Sequence, residues 1–158
     1  MTIRTIQSQD NPGIAETIRK ILIEFGMNKP GTVFTDPTTD QLFETFQGDN
    51  TIYFVAEENT QIIGGCGIFP TNGLPTGCGE LVKLYVLQKY RNVGLGKVLM
   101  EKSIKVAKEM GYTQLYLETM PELSMAVSLY EKLGFYKIAA PLGNSGHFAC
   151  DLWMVKEL

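Results

Sequence analysis

Histidine occurs once in these 158 residues and cysteine three times, in no spacing that binds a metal. Cys66, Cys78 and Cys150 are an odd count, which offers neither a zinc cluster nor a disulfide framework. With His147 the only imidazole, nothing marks a cysteine–histidine catalytic pair. Long apolar runs are missing too, so no membrane span is expected. Met1-Thr2-Ile3-Arg4-Thr5 lacks the apolar core of a secretion signal. The cysteines are therefore expected to be reduced, mainly small core residues of a cytoplasmic protein. Charge of one sign is scarce: the net is −3, from 14 basic and 17 acidic residues. That excludes the basic face of a general nucleic-acid binder and is compatible with a cationic amine as substrate. Repeats, low-complexity segments and linkers are absent. What remains is one domain, residues 1–158, long enough to bury a sizeable core.

The informative stretch runs from Val82 to Met100. An apolar run rich in β-formers, Leu81 to Leu87, reads as a buried strand. A polar turn follows, then Gly94 and Gly96, then apolar residues at helical spacing: Val98, Leu99, Ile104, Val106, Ala107 and Met110. A strand thus feeds a glycine-bearing loop that opens a helix. The first amides of a helix lack partners inside it, and the dipole makes that end positive. Glycines remove the Cβ atoms that would hold an anion away. The arrangement suits a phosphate or pyrophosphate, although two glycines also serve a tight turn or a close helix contact.

Around this unit the chain alternates strands and helices. Ile3 to Gln7 reads as a first strand. Asp10-Asn11-Pro12 starts a helix whose stripe is Ile14, Ile18, Ile21, Leu22 and Phe25, stopped by Gly26. Asn28 to Pro37 reads as a loop, and Thr38 or Thr39 caps a short helix through Phe46. Ile52–Ala56 and Ile62–Phe69 form a hairpin. Gly64, Gly65 and Gly67 inside its second strand mark either close packing or room for a ligand. A turn-rich loop, 71–77, leads to the central strand Cys78–Leu87. Gln114–Thr119 is the next strand, parallel to the central one through the crossover helix. A helix begins at Pro121-Glu122 and is capped by Gly134. Phe135–Ile138 and Phe148–Val155 are the last strands. The pattern predicts an α/β fold with a mixed sheet of six to seven strands and about four helices.

Arg91-x-x-Gly94-x-Gly96, preceded by Leu84-Tyr85-Val86 and followed by Leu129-Tyr130-Glu131-Lys132-Leu133-Gly134-Phe135, resembles the two most recognisable blocks of the GNAT acetyltransferases. The likeness is strong over residues 52–138. It implies acetyl-coenzyme A as cofactor and a small-molecule or peptide amine as acceptor. It implies that the amides of Asn92, Val93, Gly94, Leu95, Gly96 and Lys97 hold the pyrophosphate, with Arg91 or Lys97 adding charge. It also implies a central strand that parts from its parallel neighbour, so that main-chain groups of Leu84 and Val86 meet the pantetheine arm. An amide at Val86 or its neighbour would face the thioester oxygen, a contact contributing on the order of 3 kcal/mol. The family often has an asparagine where this chain has Leu123; Ser124 is the substitute at hand. Dimers are common in the family and fit the exposed terminal strands.

Acetyl transfer to an amine also requires proton movement. A lysine-like amine is neutral in only about one molecule per few thousand at pH 7, a cost of roughly 4 to 5 kcal/mol. Glu80 is the leading base: it lies on the central strand, where even positions put it on the same side as Leu84 and Val86, and it matches the family's glutamate. A solvated strand-end charge is the alternative. Glu118 is the runner-up, and a water relay the third option. Tyr130 matches the family's general acid; otherwise its ring simply packs. His147, in a loop before the last strand, is either solvated or an acceptor contact. A second function stays open, that of a catalytically silent GNAT domain acting as a coenzyme A-binding sensor or interaction module.

Overall fold

A computed structural model describes all 158 residues. The first strand, β1 (Thr2–Thr5), is shorter than expected because Gln7 already enters a turn, its amide donating to Asp10 Oδ2 at 2.7 Å. α1 (Asn11–Glu24) has Pro12 in its first turn and buries Ile14, Ile18, Ile21 and Leu22. α2 is only Leu42–Thr45. Thr38 and Thr39 belong instead to a separate 3-10 turn, capped by Asp36, which accepts from the Thr38 amide at 2.9 Å. β2 (Ile52–Glu58) and β3 (Gln61–Phe69) are joined by Asn59 and Thr60, both at positive φ, as a tight hairpin requires. β4 (Cys78–Val86), α3 (Leu95–Glu109) and β5 (Gln114–Thr119) follow. α4 (Ser124–Lys132) begins one 3-10 turn after Pro121; β6 (Tyr136–Ile138) and β7 (Leu152–Glu157) end the chain.

The final strand expected at Phe148–Val155 is displaced to β7. The Ala149 amide bonds the Gly31 carbonyl at 3.1 Å and the Cys150 amide turns back to His147 at 3.0 Å. Residues 147–150 are thereby folded over the Gly31 loop and withheld from the sheet.

The seven strands form one mixed sheet, ordered β1-β2-β3-β4-β5-β7-β6, with β4 and β5 its only parallel pair. Alternation along β2 divides the core. Tyr53 and Val55 meet Ile14, Ile18 and Leu22 of α1, whereas Phe54 and Ala56 meet Leu95, Leu99 and Met100 of α3. Tyr130 of α4 lies in the second cluster.

β4 does not keep a strict alternation. Against β3, Gly65 pairs with Tyr85 but Gly67 pairs with Val82, so β4 holds one extra residue there. Lys83 takes it up at φ +50°, and its carbonyl accepts from the Tyr53 hydroxyl at 2.9 Å. The bulge reverses the side-chain order. Glu80 and Val82 face the α1 and α2 side, with Phe46 and Phe69, whereas Leu84 and Val86 join Leu81 on the α3 side. The expectation that Glu80 shares a face with Leu84 and Val86 is therefore wrong: parity counts only across an unbroken ladder.

The β3 glycines serve close packing and leave no space for a ligand. A Cβ at Gly65 would sit 2.6 Å from the Tyr53 ring, and one at Gly67 would sit 2.5 Å from that ring and 2.7 Å from the Ile52 carbonyl. Gly67→Ala is expected to destabilise the fold by about 2 kcal/mol, since fixed backbone and a buried ring cannot both yield. Urea denaturation measures it, as a lower midpoint.

Candidate active site

Three concave spaces lie end to end along the side-chain edge of β4. The first is a groove of about 580 Å³ between the β4–α3 loop and α4. Its floor is the positive end of α3. Gly94, at φ +86°, turns the chain into the helix, and a Cβ on Gly96 would press on Leu129 at 3.3 Å. The helical ladder starts with the Val98 amide on the Gly94 carbonyl, at 3.0 Å, so no amide from Asn92 to Lys97 donates to a backbone carbonyl. Asn92, Gly94, Gly96 and Lys97 line the groove, as do Leu123 and Ser124 of the facing wall. Leu95 instead buries its side chain in the core and Val93 points to solvent.

Arg91 is not free for a phosphate. Its guanidinium holds Glu24 of α1 through two bonds of 2.6 and 2.8 Å, stacks on Phe25, and donates from Nε to the Val86 carbonyl at 2.8 Å. It ties the glycine loop to α1 and to the end of β4. The charge expected from it is spent within the protein, and the Val86 carbonyl is occupied, which leaves only the Val86 amide for a ligand. Lys97 is exposed, 3.7 Å from Glu101.

The second space is a slot of about 60 Å³ between β4 and β5. The two strands pair at Cys78, Gly79 and Glu80 with Gln114, Leu115 and Tyr116, and no further, although β4 continues to Val86 and β5 to Thr119. The expected parting of the central strand is thus present. Tyr130 lines the slot; its ring is buried beside Phe135, with centroids 6.1 Å apart, and its hydroxyl has no hydrogen-bond partner in the protein. Burial raises its pKa. Cys150 also lines the slot. Burial, with the carboxylates of Glu118 and Glu80 adding to it, pushes its thiol up to about 12, which leaves it protonated at neutral pH.

The third space, about 460 Å³, opens on the far side of the slot and shares Glu80, Val82, Lys83 and His147 with it. Glu80 is only 4% exposed. Burial pushes its carboxyl up to about 7; the Thr71 hydroxyl, which hydrogen-bonds Oε2, works against that shift, and the negative Glu118 adds to it. Glu80 is therefore not a solvated strand-end charge. Glu118 accepts from the Tyr116 hydroxyl of its own strand at 2.7 Å and from Ser145 at 2.6 Å, so both its oxygens are occupied and Oε2 anchors the loop before β7. His147 is anchored as well. Its Nε2 lies 3.0 Å from Asp36 Oδ2, which also accepts from the Lys83 ammonium at 2.9 Å. Burial alone would raise the Asp36 carboxyl, but the bond to His147 and the charge of Lys83 hold it well below the usual carboxylate range.

Sequence reasoning missed Thr71, Asp36, Lys83 and Ser145. Each is an ordinary polar residue in a loop or at a bulge, and no spacing distinguished it. One signal was readable: Lys83 is the single charge inside an apolar run.

A parted sheet thus has a row of amides free of backbone partners at one end and a buried carboxyl raised to about 7 at the other. Comparison with known proteins identifies the family. The profile described as the Acetyltransferase (GNAT) family matches residues 16–135. "Uncharacterized N-acetyltransferase YjgM" of Escherichia coli K12 is 38% identical over 157 residues, 99% of this chain and 94% of the relative. A GNAT-family acetyltransferase from Staphylococcus aureus Mu50 superposes with a TM-score of 0.84 at 23% identity, covering 99% of this chain and 98% of that one. Phosphinothricin acetyltransferase of Sinorhizobium meliloti, solved with acetyl-coenzyme A, superposes at 0.77 and 20% identity, over 99% and 88% of the two chains. The chain belongs to the GNAT acetyltransferase family, acyltransferases whose cofactor is acetyl-coenzyme A. No helix is long and apolar enough to cross a membrane.

The Glu80 environment has a stability consequence. Its folded pKa of about 7 lies above the ordinary 4.5, so the folded protein binds the extra proton between those values. The resulting contribution is complete below about pH 4.5 and is lost as pH rises through 7. Compared with Glu80→Gln, the wild type is expected to lose about 3 kcal/mol between pH 4.5 and 8. Parallel urea titrations of both proteins across that range measure the difference.

Proposed function

We propose that this protein transfers an acetyl group from acetyl-coenzyme A directly to a primary amine. The observation that carries the reading is the continuity of groove, slot and acceptor cavity along β4, with Glu80 where the last two meet. The groove fits the coenzyme on its own terms: consecutive unpaired amides at a positive helix end suit a pyrophosphate, and the parted edge of β4 offers main-chain groups to an amide-bearing arm. Leu84, Val86, Leu123 and Ser124 flank that path.

When bound, the coenzyme supplies an activated thioester. The protein's part is proton handling and positioning. Glu80, as carboxylate, takes the proton of the amine at its side-chain oxygen and shares the slot wall with the point of attack. A pKa near 7 keeps it both basic enough to act and ionised in a useful fraction. Tyr130 holds a proton at Oη for the departing sulfur; its raised pKa makes it a hydrogen-bond donor that stays a phenol. Cys150 lines the same slot, but its protonated thiol is no nucleophile, which favours direct attack over an acyl-enzyme. Glu118 and His147 hold the loops that shape the acceptor cavity. A silent coenzyme-binding domain would have no use for a carboxyl tuned by burial at the mouth of the slot.

Isothermal titration with acetyl-coenzyme A, followed by thiol release with an amine panel, tests this. Binding is expected in the wild type and absent in Gly94→Glu/Gly96→Glu. With a productive amine, Glu80→Gln is expected to lose about 100-fold in kcat/KM, and Tyr130→Phe about tenfold. The wild-type rate is expected to climb to a shoulder near pH 7 that Glu80→Gln lacks. Coenzyme binding without turnover on any amine would favour the silent domain.

A further inference from the structure

Thr119 Oγ1 is the one buried side-chain polar atom in the protein without a hydrogen-bond partner. The residue is 3% exposed, so water does not substitute for the missing partner. An unsatisfied buried hydroxyl is costly, and an apolar isostere in its place would be neutral or stabilising. Thr119 is also not in an arbitrary place. It is the last residue of β5, paired with Leu152 of β7 on one side and facing the opening from β4 on the other. It lines the slot, and neither the coenzyme groove nor the acceptor cavity. Along β5 it follows Leu115 and Leu117, which pack on the α3 side, so it stands on the same side of the sheet as Leu84, Val86 and Tyr130. Three hydroxyls without hydrogen-bond partners, those of Thr119, Tyr130 and Tyr85, thus border one small space, and only that of Thr119 is fully buried, whereas the neighbouring Glu80, Glu118 and His147 are all hydrogen-bonded. A threonine presents hydroxyl or methyl to a given side by rotation about a single bond.

We infer that Thr119 is a binding residue for the acyl end of the cofactor, its hydroxyl donating a hydrogen bond to the thioester across the slot from β4. The inference rests on the function proposed above and adds a residue that neither sequence block of the family contains. Its ligand is a group that accepts a hydrogen bond and sits in the slot, which an acyl thioester does and free coenzyme A, ending in a thiol, does much less well. Tyr130 then serves the sulfur while Thr119 fixes the acyl group, so the two hydroxyls divide the thioester between them.

Thr119→Val, an isostere without the hydroxyl, separates this role from a structural one. Titration calorimetry with acetyl-coenzyme A and with coenzyme A, together with thermal melting, gives readouts independent of turnover. Thr119→Val is expected to bind acetyl-coenzyme A about five- to tenfold more weakly, the loss of one neutral hydrogen bond, with coenzyme A binding within twofold of wild type. Thr119→Ser is expected to restore acetyl-coenzyme A affinity. The melting temperature of ligand-free Thr119→Val is expected to equal or exceed that of wild type. Unchanged affinity of Thr119→Val for acetyl-coenzyme A overturns the inference, as does an equal loss for both ligands. A wild type that fails to bind acetyl-coenzyme A removes the functional reading itself and this inference with it. A variant that melts below wild type and loses both ligands alike assigns Thr119 to packing, against the inference.

Discussion

The β4–β5 ladder ends at Glu80, and the rest of the site depends on that break. A parallel pair in the middle of a sheet normally satisfies its backbone groups along its whole length. Here β4 leaves its partner while still held to β3 by antiparallel pairing on both sides of the Lys83 bulge, so one edge is fixed and the other is open. The opening sets a slot between two strands, and the groove beside the start of α3 and the cavity beside Asp36 meet only through it. Arg91 supports the open end, clamping the Val86 carbonyl and Glu24 together where β4 runs into the glycine loop. Thus the loop's six free amides and the strand's free edge are held in one line.

Burial then assigns chemistry to residues that are otherwise ordinary. Glu80 and Glu118 stand close enough to influence each other, yet they do different things. Glu118 has both oxygens occupied by hydroxyl donors and works as an anchor. Glu80 has one such donor and almost no solvent, and its carboxyl rises to a value suited to exchanging protons near neutrality. The same desolvation acts oppositely on usefulness at Cys150, where it leaves a thiol inert. Asp36 gathers Lys83 from the β4 bulge and His147 from the loop before β7, so two loops distant in sequence wall one cavity.

Much of the fold was readable from local pattern. The α1 stripe, the hairpin, the β4–α3 unit and Gly134 as helix stop depend on residues within a few positions of one another, and they stand where expected. The errors share a cause. The bulge at Lys83 depends on the Tyr53 hydroxyl thirty residues away, and the shortened last strand depends on a bond to Gly31; neither leaves a trace in spacing. The β3 glycines, ambiguous in sequence, are explained by the neighbouring strands: the Tyr53 ring and β2 carbonyls crowd Gly65 and Gly67, and the Tyr85 carbonyl of β4 crowds Gly64. The family resemblance offers Arg91 or Lys97 as the charge for a phosphate, yet the Arg91 charge is met by Glu24, from another helix.

The sequence by itself determined the fold class, the family and the glycine-opened start of α3, because these rest on backbone conformation dictated by neighbouring residues: a strand former, a glycine that accepts positive φ, a helix whose first amides go unpaired. Only the tertiary structure decided which carboxyl is tuned and which is an anchor, which side of the sheet Leu84 faces, and that Thr119 lacks a partner. Those properties depend on solvent exclusion and on contacts between segments far apart in the chain. A pKa or an unsatisfied hydroxyl belongs to the space around a residue, and that space is built by all of its neighbours at once.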